Sequence, residues 1–266
     1  MKRKNYFFGK YYKFISDDGY TFALIVSYAN EGDMLQLVTP GKGYFIEDTK
    51  SVSIEGDTVK ICIEQKGISL KGALTLGELH PLSKPVMGPF AHLPMECRHE
   101  IYSMYHTVNG TLSLNGDRKL TFTDALGYIE GDSGTNFPKN YIWYNSVTEK
   151  GTVTLAIATI PLLGVIRFTG LLCFIKTKEK EYRFTTYNGG KIVSKSEQEI
   201  VVWKGRYTFR VQMTQTGGTP LKAPVKGNMV RYIKENINVP TQYALLNGDT
   251  PMLEVEDPFS SLEYMY

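Results

Sequence analysis

Val59, Ile61 and Ile63 alternate with Lys60, Cys62 and Glu64. A period of two puts one face of a strand into a core and the other toward water, and here it recurs in place of a helical period. Strand-like runs occupy 20–29, 34–39, 68–76, 110–115, 152–160, 166–177, 181–187 and 198–216, with turn signals such as NGD, NGG and TGG between them. A chain cut into many short strands buries them as a barrel or a sandwich, so the reading is all-β. Only at 228–236, NMVRYIKEN, does a helical face of Met229, Val230 and Ile233 compete with a strand.

The rhythm breaks at 80–96, HPLSKPVMGPFAHLPME, where Pro81, Pro85, Pro89 and Pro94 exclude an interior strand or helix. Taken as a crossing, this segment divides the chain into bodies at 1–95 and 96–266. Each has enough strands to close an antiparallel barrel, and roughly eight strands make an interior that holds one small ligand.

Lys and Arg number 30 against 27 Asp and Glu, leaving +3. That charge is too small and too dispersed for nucleic acid to be a partner. Cys62, Cys97 and Cys173 are an odd set without a CxxC, which disfavours a disulfide framework or zinc site and fits a reducing cytoplasm. The basic opening MKRKNYFFGKYYKF is interrupted by Lys10 and Lys13 where a signal peptide needs an apolar stretch. The run GTVTLAIATIPLLGVIRFTGLLCFI before Lys176 approaches the roughly 20 residues of a membrane span. Arg167 in it, with Pro161 and Gly164 at a bend, reads better as two buried strands, so no transmembrane segment is expected. A buried guanidinium needs a carboxylate, and Glu130 and Asp132 are the expected partners of Arg167.

Two stretches concentrate chemistry. In 94–106, PMECRHEIYSMYH, an extended backbone places Cys97, His99 and Ile101 on one face and Glu96, Arg98 and Glu100 on the other. A Cys-x-His pair without further ligands at a familiar spacing does not make a metal site, and none is expected. In 127–145, GYIEGDSGTNFPKNYIWYN, an irregular glycine-rich backbone carries Glu130 and Asp132 just before Tyr141, Trp143 and Tyr144. A carboxyl against aromatic walls is desolvated and holds its proton toward neutral pH; the competing role is an anionic cap on a turn.

These stretches resemble the tocopherol cyclase family, which belongs with the lipocalin-like proteins of carotenoid 1,2-hydratase type. The likeness rests on MGPFAHLPMECRHEIYSMYH at 87–106 and GYIEGDSGTNFPKNYIW at 127–143. It extends more weakly to YFFGKYYKFI, FTGLLCF and YRFTTYNGGKI. Ser133, Thr135, Asn136 and Tyr105 depart from the residues common in the family. The resemblance implies two tandem lipocalin-like antiparallel β-barrels and a cofactor-free cyclase of isomerase type. Such an enzyme protonates a prenyl double bond and lets a phenol oxygen close the ring. It implies Asp132 or Glu130 as proton donor, with His99 and His106 orienting or reprotonating it. Glu96, Tyr128, Phe137, Tyr141, Trp143 and Arg167 are expected around an apolar isoprenoid, quinol or lipid-like ligand, with peripheral membrane contact as a route of ligand access.

Two other readings compete. A non-catalytic lipocalin-like binder would enclose an apolar ligand and use the polar cluster only to orient it. An interaction module would use the 18 tyrosines as a docking surface and leave the acid and histidine motifs without a task.

Overall fold

The computed structural model describes residues 5–162, 166–214 and 217–266. Among these it contains strands and three short 3-10 turns, with no α-helix. The first sheet holds β1 (Phe7–Ile15), β2 (Thr21–Ala29), β3 (Gly32–Thr39), β4 (Lys42–Ile46), β5 (Val52–Glu55), β6 (Thr58–Gln65), β7 (Ile68–Leu76), β8 (Cys97–Leu114) and β9 (Arg118–Gly134). Its order is β4-β3-β2-β1-β9-β8-β7-β6-β5. The second holds β10 (Tyr141–Val147), β11 (Thr152–Leu162), β12 (Ile166–Lys176), β13 (Glu181–Thr185), β14 (Lys191–Lys195), β15 (Glu199–Lys204), β16 (Tyr207–Met213), β17 (Thr219–Val225), β18 (Asn228–Asn247) and β19 (Thr250–Met265). Its order is β13-β12-β11-β10-β19-β18-β16-β15-β14, with β17 paired to β18.

Both sheets are antiparallel, and among the described residues neither is closed by a ladder. The closed barrels expected from the strand count are thus corrected to two open sheets. The reason is local: the chain passes from β4 to β5 through a 3-10 turn at Thr49–Ser51, and from β13 to β14 through another at Thr186–Asn188, where hairpins would have paired the edges.

The division at 95/96 falls inside the first sheet. β9 pairs with β1 on one side and β8 on the other, so residues 97–134 complete the first sheet and the change of sheet falls between Gly134 and Tyr141. The proline-rich segment is instead a strap across the second sheet. Ser83 donates to Glu181, Arg183 donates to the carbonyls of Lys84 and Pro85, and the Tyr187 hydroxyl donates to the carbonyl of Val86 at 2.9 Å. Gly88, at φ +48°, lies so close to the Tyr187 ring that a Cβ there would stand 2.7 Å from Cζ.

Other expectations meet the coordinates directly. The helix-or-strand segment at 228–236 is strand, and the run at 198–216 holds β15 and β16, its residues 215 and 216 lying outside the described residues. The apolar run at 151–175 forms β11 and β12, paired from Thr152↔Lys176 to Leu162↔Ile166, and no described helix is long and apolar enough to cross a membrane. Its bend at Gly164 lies outside the described residues. Arg167 is exposed near the hairpin end of β12, and the expected ion pair with Glu130 or Asp132 is not formed. Water solvates this guanidinium, which therefore needs no buried partner.

Three buried apolar clusters follow from the alternation. Tyr12, Phe14, Phe22 and Leu24 belong to the core of the first sheet, and Ile142, Tyr144, Leu155 and Phe209 to that of the second. The residues between them on β1 and β10 point the other way. Tyr11, Ile15, Tyr141 and Trp143 join Tyr128, Phe174 and Ile233 in a third core between the sheets. β1 and β10 are thus buried on both faces, and the functional residues lie in this shared layer.

Candidate active site

Register brings the acids and the histidine together. His99 on β8 is directly opposed to Asp132 on β9, and Ile101 to Glu130. On the other side of β9, Gly9 opposes Asp132 and Tyr11 opposes Glu130. Side chains at opposed positions share a face, so His99, Glu130 and Asp132 project together, and Gly9 leaves the space beside Asp132 open. The expected glycine-rich loop is strand through Gly134, which is why two acids two residues apart converge. The extended reading of 94–106 holds from Cys97 onward: His99 and Ile101 are buried, while Arg98 and Glu100 are exposed.

Gly134, at φ +152°, ends this strand against the chain at Glu96. A Cβ at Gly134 would lie 2.1 Å from the Glu96 carbonyl oxygen, which accepts from the amides of Thr135 (2.8 Å) and Asn136 (3.3 Å). Gly134→Ala is expected to destabilise the protein by about 2–3 kcal/mol, read as a lowered urea midpoint at unchanged slope. An unshifted midpoint would show that this close approach relaxes freely.

Glu130 is buried, and its Oε2 accepts from the Tyr128 hydroxyl at 2.5 Å and from Trp143 Nε1 at 3.0 Å. Thr154 Oγ1 donates to the Tyr128 hydroxyl at 2.8 Å, so donors from the second sheet fix an acid on the first. His99 Nε2 is 3.5 Å from Glu130 Oε2, and Nδ1 is 3.1 Å from Asp132 Oδ1. Cys97 Sγ donates to the same Asp132 oxygen at 3.5 Å.

Burial lifts the Glu130 carboxyl to about 7, with the His99 charge pulling it down and Asp132 pushing it up. Burial alone would discharge His99, but Glu130 and Asp132 outweigh it and hold the imidazolium up to about 9. Desolvation and the neighbouring Asp132 push the Cys97 thiol well above its usual range, so it is no nucleophile at neutral pH. Ligand atoms of His99, Glu130 and Asp132 lie within 4.8 Å of one another, close enough to hold a cation. A cation there would compete with Tyr128 and Trp143 for Glu130 Oε2 and with Asp132 for His99 Nδ1.

These groups open into a half-open cavity of about 160 Å³ between the sheets. It is close in size to an engineered protein cavity of about 150 Å³ that admits benzene. The first sheet gives Tyr11, Cys97, His99, Glu130 and Asp132, and the second gives Tyr141, Trp143, Leu172, Ile233 and Glu263. Met87 and Met95 of the proline-rich strap also reach it, as does Phe137. The walls are mostly apolar.

Of the expected site residues, Asp132, Glu130, His99, Phe137, Tyr141 and Trp143 line the cavity. Tyr128 stands behind them as a donor to Glu130. Glu96 lies outside the lining and contributes only its backbone carbonyl to the turn after Gly134. Arg167, expected at the ligand, is exposed and outside this lining. His106 is corrected too. Two register shifts separate it from His99; its ring lies over Gly127, and its Nδ1 is 3.1 Å from Ser103 Oγ. Burial, with His80 adding, pushes His106 down to about 4, so it stays neutral away from the cavity.

No protein-family model matches the chain, and no curated protein matches its sequence. Solved structures do. The fold resembles that of kievitone hydratase. That enzyme, from Nectria haematococca, superposes with a TM-score of 0.55 at 9% identity, over 98% of this chain and 89% of its own. CghA, solved with Sch210972, superposes with a TM-score of 0.64 at 7% identity, over 98% of this chain and 88% of its own. At these identities the likeness concerns the fold, and the chemistry has to be read from the side chains in place.

The sequence pattern missed Tyr11, Lys13, Glu235 and Glu263. Lys13 is fully buried on β1, donating to Asn145 Oδ1 at 3.3 Å and to the Phe259 carbonyl at 2.8 Å. Burial lowers it to about 8, against the pull of Asp257, Glu235 and Glu130. The signal available for Lys13 was its place in an otherwise aromatic strand, YYKF. Glu235 and Glu263 lie on β18 and β19 with nothing in local sequence to mark the first as buried or the second as part of the cavity wall.

Proposed function

We propose that this protein is a cofactor-free acid catalyst of the cyclisation or hydration of a prenylated small molecule, as its resemblance to the tocopherol cyclase family implies. The observation that carries the reading is Glu130, an acid held near neutral pKa in an apolar cavity with both of its donors fixed on Oε2. The likeness in fold to kievitone hydratase supports the hydration arm of this reading.

Glu130 gives its proton to the CH carbon of the prenyl double bond, and the π pair forms the new C–H bond. The tertiary cation left on the neighbouring carbon lies among Trp143, Tyr141 and Phe137, whose ring faces stabilise positive charge. A phenol oxygen of the same molecule then forms the C–O bond and returns its proton to Glu130, closing a ring with no net change in composition. Water in place of the phenol gives the tertiary alcohol by the same proton balance. His99, charged and turned toward Asp132, stands 3.5 Å from Glu130 and restores its proton when it is lost to solvent.

Incubation with 2-prenylhydroquinone in D2O tests this. Cyclisation gives an isomer with one carbon-bound deuterium, and hydration gives that label plus the mass of water. Recovery of unlabelled substrate, bound but unchanged, would overturn catalysis and favour the apolar-binder reading that the mostly apolar walls also support.

A further inference from the structure

The cavity has a second polar end that the proton-transfer chemistry does not use. Trp143 on β10, Glu263 on β19 and Glu235 on β18 are successive register partners, so they form one row across three strands. Trp143 turns its Nε1 to Glu130. Glu263, the register partner of Trp143, lines the cavity and is only half-buried. The Tyr141 hydroxyl donates to Glu263 Oε2. Behind them Glu235 is fully buried; its Oε1 accepts from Tyr11 at 2.5 Å, and its Oε2 has no protein partner.

An apolar cavity does not gain affinity from a carboxyl on its wall unless the ligand satisfies that group, because an unmatched polar atom costs its desolvation. Glu263 is accessible from the cavity, paired in register with Trp143 and bonded by the Tyr141 hydroxyl. Burial, then the charge of Glu235, raises Glu263 well above the carboxylate range, so it is a neutral acid able both to donate and to accept.

We propose that Glu263, held by Tyr141, is the anchor for a ligand oxygen remote from the reacting bond, so that the cavity selects molecules with a prenyl group at one end and a hydroxyl or carbonyl at the other. In a prenylated hydroquinone the two oxygens then have separate tasks: one attacks the cation formed at Glu130, and the para hydroxyl pairs with Glu263 across the face of Trp143. This rests on the proposed reaction for the ligand's identity, while its test does not need turnover.

The test is calorimetric titration with two probes, 2-prenylhydroquinone and 2-prenylphenol, which share the ring-closing oxygen and differ only in the remote hydroxyl. The wild type is expected to prefer the hydroquinone at least about tenfold. Glu263→Leu is expected to abolish that preference and leave the affinity for the phenol within about twofold; Glu263→Met is read the same way if the leucine variant does not fold. The anchor is overturned by a wild type that binds both probes alike or neither. A preference that survives in the variant overturns it too, as does phenol affinity falling together with hydroquinone affinity. Preference without conversion sinks the acid chemistry alone, and conversion without preference sinks the anchor alone.

Discussion

Glu130→Gln is expected to fold and to lose turnover of 2-prenylhydroquinone by roughly a hundredfold or more. The amide keeps the shape of the side chain and an oxygen to accept from Tyr128 and Trp143, the two donors that hold Oε2 at 2.5 and 3.0 Å. It removes the one proton placed near neutral pKa. Because a buried carboxyl raised by desolvation gains little from ionising, its replacement by a neutral isostere should move the thermal midpoint by only a few degrees. Asp132→Asn makes the internal control. It removes one of the two carboxylates that keep His99 charged, while leaving Glu130 and its donors in place, so turnover should fall less than in Glu130→Gln. Retained conversion in Glu130→Gln with loss in Asp132→Asn would transfer the acid role to Asp132.

How much of this was legible in the sequence depended on distance along the chain. The strands at 59–64 and 68–76 were readable from alternation because one face of each meets a core and the other meets water. The pairing of His99 with Asp132 was half readable. Both motifs stood out, but only the β8–β9 register sets them opposite, and a register is a long-range choice made by the whole sheet. The proline-rich segment misled as a boundary because prolines report that a ladder is interrupted, not which sheet the chain rejoins. Here it crosses to the second sheet, bonds to Glu181, Arg183 and Tyr187, and returns to the first at Cys97. Arg167 misled for a related reason: an apolar run suggested burial, but the end of a β-hairpin can extend past the core that buries its middle.

The acids at 235 and 263 show what composition conceals. They are spaced along a surface-like pattern in β18 and β19, yet the outward face of those strands is covered by the first sheet, so Glu235 becomes an interior group and Glu263 a half-buried wall of the cavity. Lys13 is the same case from the other side, a cation on β1 buried because β10 and β19 cover it. Binary patterning sees one core per sheet; a third core between two sheets places charges where the pattern assigns solvent.

That interior charge sets a pH dependence of stability with a definite sign. Glu130 and Glu235 each rise, by burial first, from the usual 4.5 to about 7. Between those values the folded protein keeps protons that the unfolded chain has released. Their contribution is therefore fully present below about pH 4.5 and is lost as pH rises through about 7. One carboxyl shifted this far is worth on the order of 3 kcal/mol, and two coupled ones less than twice that. His99, raised to about 9, extends the decline on the alkaline side. His106, lowered from 6.5 to about 4, opposes the decline between those two values but is outweighed by the two acids, and Lys13, lowered to about 8, opposes it above that pH. Asp18, held at about 2 by Ser16 and Arg118, acts below the window altogether. The thermal midpoint of the wild type is accordingly expected to fall from pH 5 to pH 8. Glu235→Gln, which keeps an oxygen for the Tyr11 hydroxyl, should flatten that fall and match or exceed the wild type at pH 8. A midpoint constant across the window, or a variant with the wild-type slope, would mean that Glu235 is already ionised in the folded protein, its charge held by Lys13.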